Sequence, residues 1–397
     1  MSELQFSPAD RRRFLRGAAA IGGFGLLGGC ASAGTSPPKP GFRPTPLLAP
    51  VKASPERIFH ISVCLRPFRA AGPRMDAETV GDKLVVHNYG HGGSGWSLSW
   101  GAAAAAVKTA FADGVKDVAV IGCGAMGLTA ATVAQRAGAR VTIYAKEPIL
   151  ETRSARATGV WSPDSRIAKA DAVDAGFATR WEEMARTSFR VHQQYLGLAD
   201  APVEWTERYI LSDMPSGGGG EDPMGFAAYG RRILDLSPRS QVLEPGEHPF
   251  ATRFARRHAL PMFNVTEYAR VLMADFQRAG GRFEVTEFRS PADLARLKER
   301  VVIDCTGYGA RALWKDESVV PVRGQLAWLI PQPEVTYGLA FQGVGTVSRR
   351  DGMIIQANGP DESYGYNDAT ETPDRQEAER AVAVIASLFA RKAAARA

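Results

Sequence analysis

Residues 86–101, VHNYGHGGSGWSLSWG, place five glycines and two tryptophans within sixteen positions, with His87 and His91 flanking Tyr89. Glycine at that density costs chain entropy and is kept where the backbone must approach something closely or adopt positive φ. A ligand is the readiest thing to be approached. The plain alternative is a glycine-rich turn between a strand over 83–86 and an Ala-rich helix over 101–111. A second cluster, Gly122-Cys123-Gly124-Ala125-Met126-Gly127, follows a short β-branched run over 117–121 and opens a helix over 128–137, with another strand over 140–144. Strand, tight glycine turn and helix N-terminus in that order cradle a pyrophosphate, which predicts a bound dinucleotide.

The elements that must position these clusters lie in a chain of 397 residues, 45% hydrophobic, long enough for two domains and a large core. Arg11, Arg12 and Arg13 precede Phe14, Leu15 and Arg16 and an apolar run to Gly29, the n-region and short h-region of a secretory signal. RRRFLR resembles a twin-arginine export signal. Leu27-Gly28-Gly29-Cys30 resembles a lipobox, so Cys30 is a candidate lipid-modified first residue and membrane tether; an ordinary cleaved signal with an incidental cysteine is the alternative. Residues 1–29 carry four arginines and two acids, and their removal takes the net charge from +6 to +4. So small a charge, without interleaved basic and aromatic residues, gives no nucleic-acid surface. The six histidines show no ligand spacing, so no metal site is expected. Residues 31–50 hold six prolines and read as a polar, semi-extended tether.

HNYGHGG at 87–93 resembles the signature of the D-amino-acid oxidase family, flavoproteins that oxidise the Cα–N bond of D-amino acids. The resemblance implies FAD as cofactor. It places Gly92, Gly93, Ser94, Gly95, Trp96 and Ser97 around the flavin, with the Gly93 carbonyl receiving the substrate amine. Leu65-Arg66-Pro67-Phe68-Arg69 is similar to the family's segment that ends in a carboxylate-binding arginine, and Arg66 holds that place. A guanidinium fork suits the role because two parallel N–H bonds fix the plane of a carboxylate as well as its charge. Gly122, Cys123, Gly124, Ala125, Met126 and Gly127 become the FAD fingerprint. At the end of the second strand the family's ribose-binding acid stands one place late, so either Glu147 reaches the ribose or Lys146 replaces that contact. A lysine there also suits a 2′-phosphate and hence NADP, but the other motifs point to flavin.

Further along, Arg153 and Ser154 replace a threonine-rich run, Gly159, Val160 and Trp161 resemble the next flavin-contacting stretch, and Cys305, Thr306 and Gly307 resemble the turn where a nucleotide-binding strand meets FAD. Cys305 reads as a packing residue, since no base accompanies it. Residues 322–325, VRGQ, resemble the element that crosses to the substrate domain. Residues 254–263, FARRHALPMF, lack the family's substrate-positioning tyrosines. Arg256, Arg257 and His258 either face the pocket and favour a second acidic group or lie on the surface, and the surface is the reading adopted. Helices are expected over 171–194, with Trp181, Met184 and Phe189 as core, over 264–279 and over 374–391. A loop over 214–231 reads as a lid or an irregular excursion.

The predicted fold class is α/β: a Rossmann-type FAD-binding domain plus a mixed or antiparallel β substrate domain. Its expected segments are signal 1–30, tether 31–57, FAD-binding 58–170 and 264–320, substrate-binding 171–263 and 321–372, and a closing helix 373–397. The order is altered, because the arginine and HNYGHGG elements that close the family's sequences stand first here. A circular permutation accounts for this and predicts that Arg391 lies near Ile58, with residues 111–116 as the new connection.

The activity implied is FAD-dependent oxidative deamination of a D-amino acid to a 2-oxo acid and ammonia, with oxygen or a quinone as acceptor, on the periplasmic side of a bacterial inner membrane. A glycine or secondary-amine oxidase, a quinone-linked amino-acid dehydrogenase and a catalytically silent flavin-binding envelope protein are the alternatives. Substrate side chain and oligomeric state are left open.

Overall fold

The computed structural model describes residues 46–111, 115–215 and 223–391. The signal over 1–30, the first part of the tether, and residues 112–114 and 216–222 of the expected connection and loop lie outside the described residues. The chain opens with β1 (Ile58–Phe68), β2 (Ala77–Val80), β3 (Lys83–His87) and α1 (Gly95–Ala110), then β4 (Asp117–Ile121), α2 (Ala125–Arg136) and β5 (Arg140–Ala145). Next come α3 (Phe177–His192), β6 (Val203–Ser212), β7 (Gln241–Leu243), β8 (Phe254–Phe263), α4 (Val265–Arg278), β9 (Arg282–Val285) and β10 (Val301–Asp304). The short α5 (Ala310–Leu313), β11 (Val320–Leu329), β12 (Tyr337–Phe341), β13 (Val344–Arg349), β14 (Gly352–Ala357) and α6 (Arg375–Ala390) complete it.

The smaller sheet runs β2-β3-β10-β4-β5-β9 and is parallel apart from the β2–β3 hairpin. VAVI in β4 and VVI in β10 are continuous apolar runs because both faces of a parallel sheet are covered. Val118, Val120, Val301 and Ile303 pack with residues of α1, α2 and α4, while Ala119, Ile121 and Val302 pack with Leu294 and Leu297 behind.

The larger sheet runs β1-β11-β14-β13-β12-β6-β8-β7, antiparallel except where β6 meets β12. Successive strand residues point to opposite faces. On one face Tyr209, Leu211, Ala327, Leu329, Leu339, Met353 and Ile355 pack under α6 with Val382 and Ile385. The other face carries Leu326, Trp328, Val347 and Ile354, and in the same alternation Cys64, Arg66, Gly324, Gln356, Gly345 and Arg208. This second face forms one wall of the site.

The α/β class with a parallel nucleotide-type sheet and a second, mixed sheet is as expected from the sequence. Three local expectations need correction. Helix α1 begins at Gly95 rather than 101, and its first two turns, Trp96 to Ala103, are buried on every side. Helix α3 begins at Phe177 rather than 171; before it the Asp174 side chain accepts from the Gly176 N–H at 2.8 Å and holds a turn instead. Strand β1, expected with the nucleotide-binding segment, belongs to the larger sheet, where it pairs with β11 from Ile58↔Leu329 to Phe68↔Val320.

The expected proximity of Arg391 to Ile58 also takes a different form. The Arg391 guanidinium stacks on Phe341 of β12, 4.7 Å from the ring centre, and three strands separate β12 from β1. Residues Leu48, Ala49, Val51 and Ala53 share one apolar cluster with α6 and Ile58, and the Tyr337 hydroxyl donates to Ala49 O at 2.8 Å. This segment spans the gap along the face that α6 covers. Among the described residues no helix is long and apolar enough to cross a membrane, and no group of three His, Cys, Asp or Glu side chains is placed to hold a metal.

Candidate active site

A cavity of about 1080 Å³ lies between the C-terminal ends of β4, β5 and β10 and the second face of the larger sheet, the one turned away from α6. The fingerprint forms its floor. Gly122 leaves β4 with φ +99°, and a Cβ there would come within 2.5 Å of Cys305 O. A Cβ on Gly124 would meet Ser154 Oγ at 2.6 Å, and one on Gly127 would meet Gly122 O at 2.0 Å. The first two positions keep the turn tight, and the third seats α2 against β4. No side chain caps the N-terminus of α2, though the Ala125 N–H donates to Ser154 Oγ at 3.0 Å. Remaining amides of the first turn are therefore available to an anion. Gly122, Cys123, Gly124, Ala125 and Met126 line the cavity, whereas Gly127 is withdrawn into helix–strand packing. Burial pushes the Cys123 thiol up to about 12, so it is an inert wall residue.

At the end of β5, Lys146 and Glu147 both reach the cavity and pair with each other at 3.4 Å. Arg153 and Ser154 lie beside them. The Arg153 guanidinium stands 5.3 Å from the Tyr308 ring centre and pairs with Glu371, while its Nε has no partner. Thr306 and Gly307 line the same end, and the buried Thr306 hydroxyl is unpartnered. Cys305 is buried against Asn88, and burial raises its thiol well above the usual range.

The glycine-rich loop of 90–95 makes the next wall. Gly92 has φ +54°, and a Cβ there would lie 1.8 Å from Arg166 O. The Gly93 N–H donates to Ser165 O at 3.0 Å, which fixes that peptide. Gly92, Gly93, Gly95, Trp96 and Ser97 line the cavity. Ser94 does not: its hydroxyl donates to Ser165 O at 3.1 Å, and the side chain locks the loop from behind. Ser97 Oγ accepts from the Ser162 N–H at 2.9 Å.

Gly159, at φ +89°, and Val160 also face the cavity, but Trp161 does not. The Trp161 indole packs against Phe189 and His192 at centroid distances of 5.4 and 5.9 Å, which makes it core. Beneath α1 a hydrogen-bonded chain holds the loop's helix in place. Trp100 Nε1 donates to the Tyr268 hydroxyl at 2.8 Å, Tyr268 meets His192 Nδ1 at 2.9 Å, and His192 Nε2 donates to Trp96 O at 3.1 Å. Burial pushes the His192 imidazole down to about 3, as this neutral arrangement requires.

Arg66 reaches the cavity from β1. Its guanidinium lies across Gly324 of β11, where a Cβ would come within 2.3 Å of Nη2, and its Nη1 donates to Arg323 O at 3.2 Å. No carboxylate among the described residues pairs with it. The neighbours of Gly324 act elsewhere: Arg323 pairs with Glu377 at 2.7 Å and Gln325 bonds both the N–H and the C=O of Asp374, so they staple α6 to β11.

Two cavity residues were not among the expected site residues, although His91 belongs to the HNYGHGG motif. His91 is buried with both ring nitrogens unpartnered, and burial pushes it down to about 3. Arg208 enters from β6 on the side opposite Arg66. Only the glycines inside β12 and β13 hint at it, as strand glycines mark a close approach. Arg256, Arg257 and His258 do not line the cavity: Arg256 is exposed, Arg257 pairs with Glu207 at 3.3 Å, and His258 is the cross-strand neighbour of Arg208. From the 214–231 loop, Phe226, Ala227 and Ala228 reach the cavity, while Tyr229 packs on Phe177 and Trp181.

The cavity thus joins a dinucleotide cradle to an unpaired arginine. The model of the family described as FAD dependent oxidoreductase matches residues 117–396, and the chain belongs to that family. It is 33% identical over 210 residues to a D-amino-acid oxidase of Streptomyces coelicolor, covering 53% of this chain and 58% of the relative. A D-amino-acid oxidase of Rubrobacter xylanophilus is 30% identical over 210 residues, with 52% and 57% covered. One of Dictyostelium discoideum is 23% identical over 291 residues, with 68% and 73% covered. The chain spans a little over half the length of the two bacterial relatives. The residues present fit the cofactor in the family's description: Gly122 and Gly124 keep the turn before α2 tight and free of side chains, Thr306 Oγ1 and Arg153 Nε lack partners, and the loop of 92–97 lines the same cavity.

Proposed function

We propose that the chain catalyses FAD-dependent oxidation of a D-amino acid to an imino acid, which water hydrolyses to a 2-oxo acid and ammonia. With oxygen as acceptor, amino acid, O₂ and water give 2-oxo acid, ammonia and hydrogen peroxide. The observation that carries this reading is the Arg66 guanidinium, free of any carboxylate partner among the described residues and facing the same cavity as Gly93 and the dinucleotide cradle. FAD, when bound, supplies the two-electron acceptor for the hydride on Cα. Arg66 holds the substrate carboxylate in a bidentate grip, and the Gly93 carbonyl takes an N–H of the amine. Two fixed contacts orient the Cα hydrogen, so the protein contributes positioning more than a strong base. His91 stays neutral in its buried position and adds no competing positive charge. Trp96 and Val160 line the same cavity.

Anaerobic mixing of the purified holoenzyme with D- and L-amino acids, following the oxidised flavin band, tests the proposal. Bleaching by D isomers alone is expected, and reoxidation by oxygen then separates an oxidase from a quinone-linked dehydrogenase. Bleaching by L isomers alone would overturn it.

The chain is further proposed to be a circular permutant. The family model's match starts at the fingerprint strand, while Arg66 and residues 86–101 precede it, which supports that order. Export through the twin-arginine route, with a lipid tether at Cys30, remains the reading of RRRFLR and LGGC.

A further inference from the structure

Arg208 stands at Gly338 of β12 in register, with its Cγ 3.7 Å from where a Cβ on Gly338 would be. Its Nη2 lies 3.1 Å from where a Cβ on Gly345 of β13 would be. Two strand glycines therefore open a channel along which the guanidinium crosses the sheet into the cavity. The Nε is buried without a partner, and no acid among the described residues pairs with the group. Its nearest cross-strand neighbour is His258, which is no anion. By contrast, Arg166 in the same cavity is already paired with Glu362 at 2.9 Å. A buried cation without a counter-ion is costly, and burial alone pulls the Arg208 pKa down.

Arg66 and Arg208 lie on the same face of one sheet and approach from strands on either side of β14, each across a glycine. Gly324 and Gly345 stand on β11 and β13, with only β14 between them, about 10 Å apart across the strands and offset by two residues, roughly 7 Å, along them. Gln356 and Leu326 form the floor between. Both guanidinium groups lie over this floor, a span that a short diacid fills with one carboxylate at each end.

Resting on the D-amino-acid reading above, we propose that Arg208 binds a side-chain carboxylate, so that the substrate class is the acidic D-amino acids, with Arg66 on the α-carboxylate.

The test compares kcat/KM for D-aspartate, D-glutamate and D-alanine in the wild-type holoenzyme, R208M and R208K, together with equilibrium titration of the non-reacting probes succinate and butyrate. Wild type is expected to favour an acidic substrate over D-alanine on the order of 100-fold, the scale set by leaving a buried charge unpaired. In R208M that ratio collapses below one, and R208K retains part of it. Succinate should bind wild type at least ~10-fold tighter than butyrate and lose that margin in R208M. A wild-type preference for D-alanine, or a ratio unchanged in R208M, would overturn the proposal. If R208M does not load FAD, the wild-type ratio, R208K and the succinate–butyrate comparison decide. Should no amino acid be oxidised, the D-amino-acid reading fails, and equal binding of succinate and butyrate would separately remove the Arg208 site.

Discussion

The guanidinium of Arg66 on β1 lies flat across Gly324 on β11, so close that a Cβ at position 324 would stand 2.3 Å from Nη2. The family-like VRGQ element thereby explains an arginine more than 250 residues earlier in the chain. Its glycine makes room for the fork, while Arg323 and Gln325 hold α6.

Arg66→Ala should lower kcat/KM with D-amino acids by about 2–5 kcal/mol of transition-state binding, roughly 30- to several-thousand-fold, with FAD still bound. Steady-state kinetics with flavin content measured on the same sample checks this. Loss of flavin would instead assign Arg66 a structural role.

Gly324→Ala should leave the fold intact, because the atom it displaces is the far end of a flexible side chain. It should raise KM with kcat/KM down at least ~10-fold, since small misplacements of a positioning group are costly. An unchanged KM would show that the guanidinium is not held where catalysis needs it.

Gly127→Ala meets the backbone carbonyl of Gly122 at 2.0 Å, and a backbone atom of the fingerprint turn has nowhere to move. Overpacking of this kind costs about 1–3 kcal/mol. Flavin release and a lower Tm are the expected outcomes, measured by absorbance after desalting and by calorimetry. Full flavin occupancy would refute the close helix–strand seating.

His91 and His192 are both held near 3 by burial, below the ordinary imidazole value of 6.5. The unfolded chain therefore binds protons that the folded chain does not between pH 6.5 and about 3. The contribution is fully present above pH 6.5 and is lost as pH falls through that window, at about 1.4 kcal/mol per pH unit for each histidine. Urea unfolding from pH 7.5 to 5 should show this slope, and H192Q should flatten it by one proton's worth. A slope identical in wild type and variant would show that His192 is protonated in the fold.

Much of the site was legible in the sequence because it is local. Residues 117–145 give strand, glycine turn, helix and strand within one continuous window, and their backbone geometry follows from neighbours a few positions apart. HNYGHGG, Arg66 and the 305–307 turn were found as motifs, and Arg66, residues 90–93 and residues 305–307 line one cavity, while His87, Asn88 and Tyr89 are buried behind it. Ser94 and Trp161 were misplaced because a motif names a segment while the face each side chain takes depends on what packs behind it. Ser94 turns to Ser165 O, and Trp161 turns into the core beside Phe189 and His192.

Sequence alone determined the α/β class and the dinucleotide cradle, since these depend on glycine conformational freedom and short-range hydrophobic pattern, whereas Arg66 and Gly93 as the grip on an amino acid follow from the resemblance of their segments to the family. Only the tertiary structure decided which strands share a sheet, and with that the placement of β1 beside β11, the path of residues 48–53 along the α6 face and the arrival of Arg208 opposite Arg66. Strand pairing joins residues hundreds of positions apart through backbone hydrogen bonds common to every sequence, so nothing in the local pattern around Arg208 marks the two distant glycines over which it reaches the site.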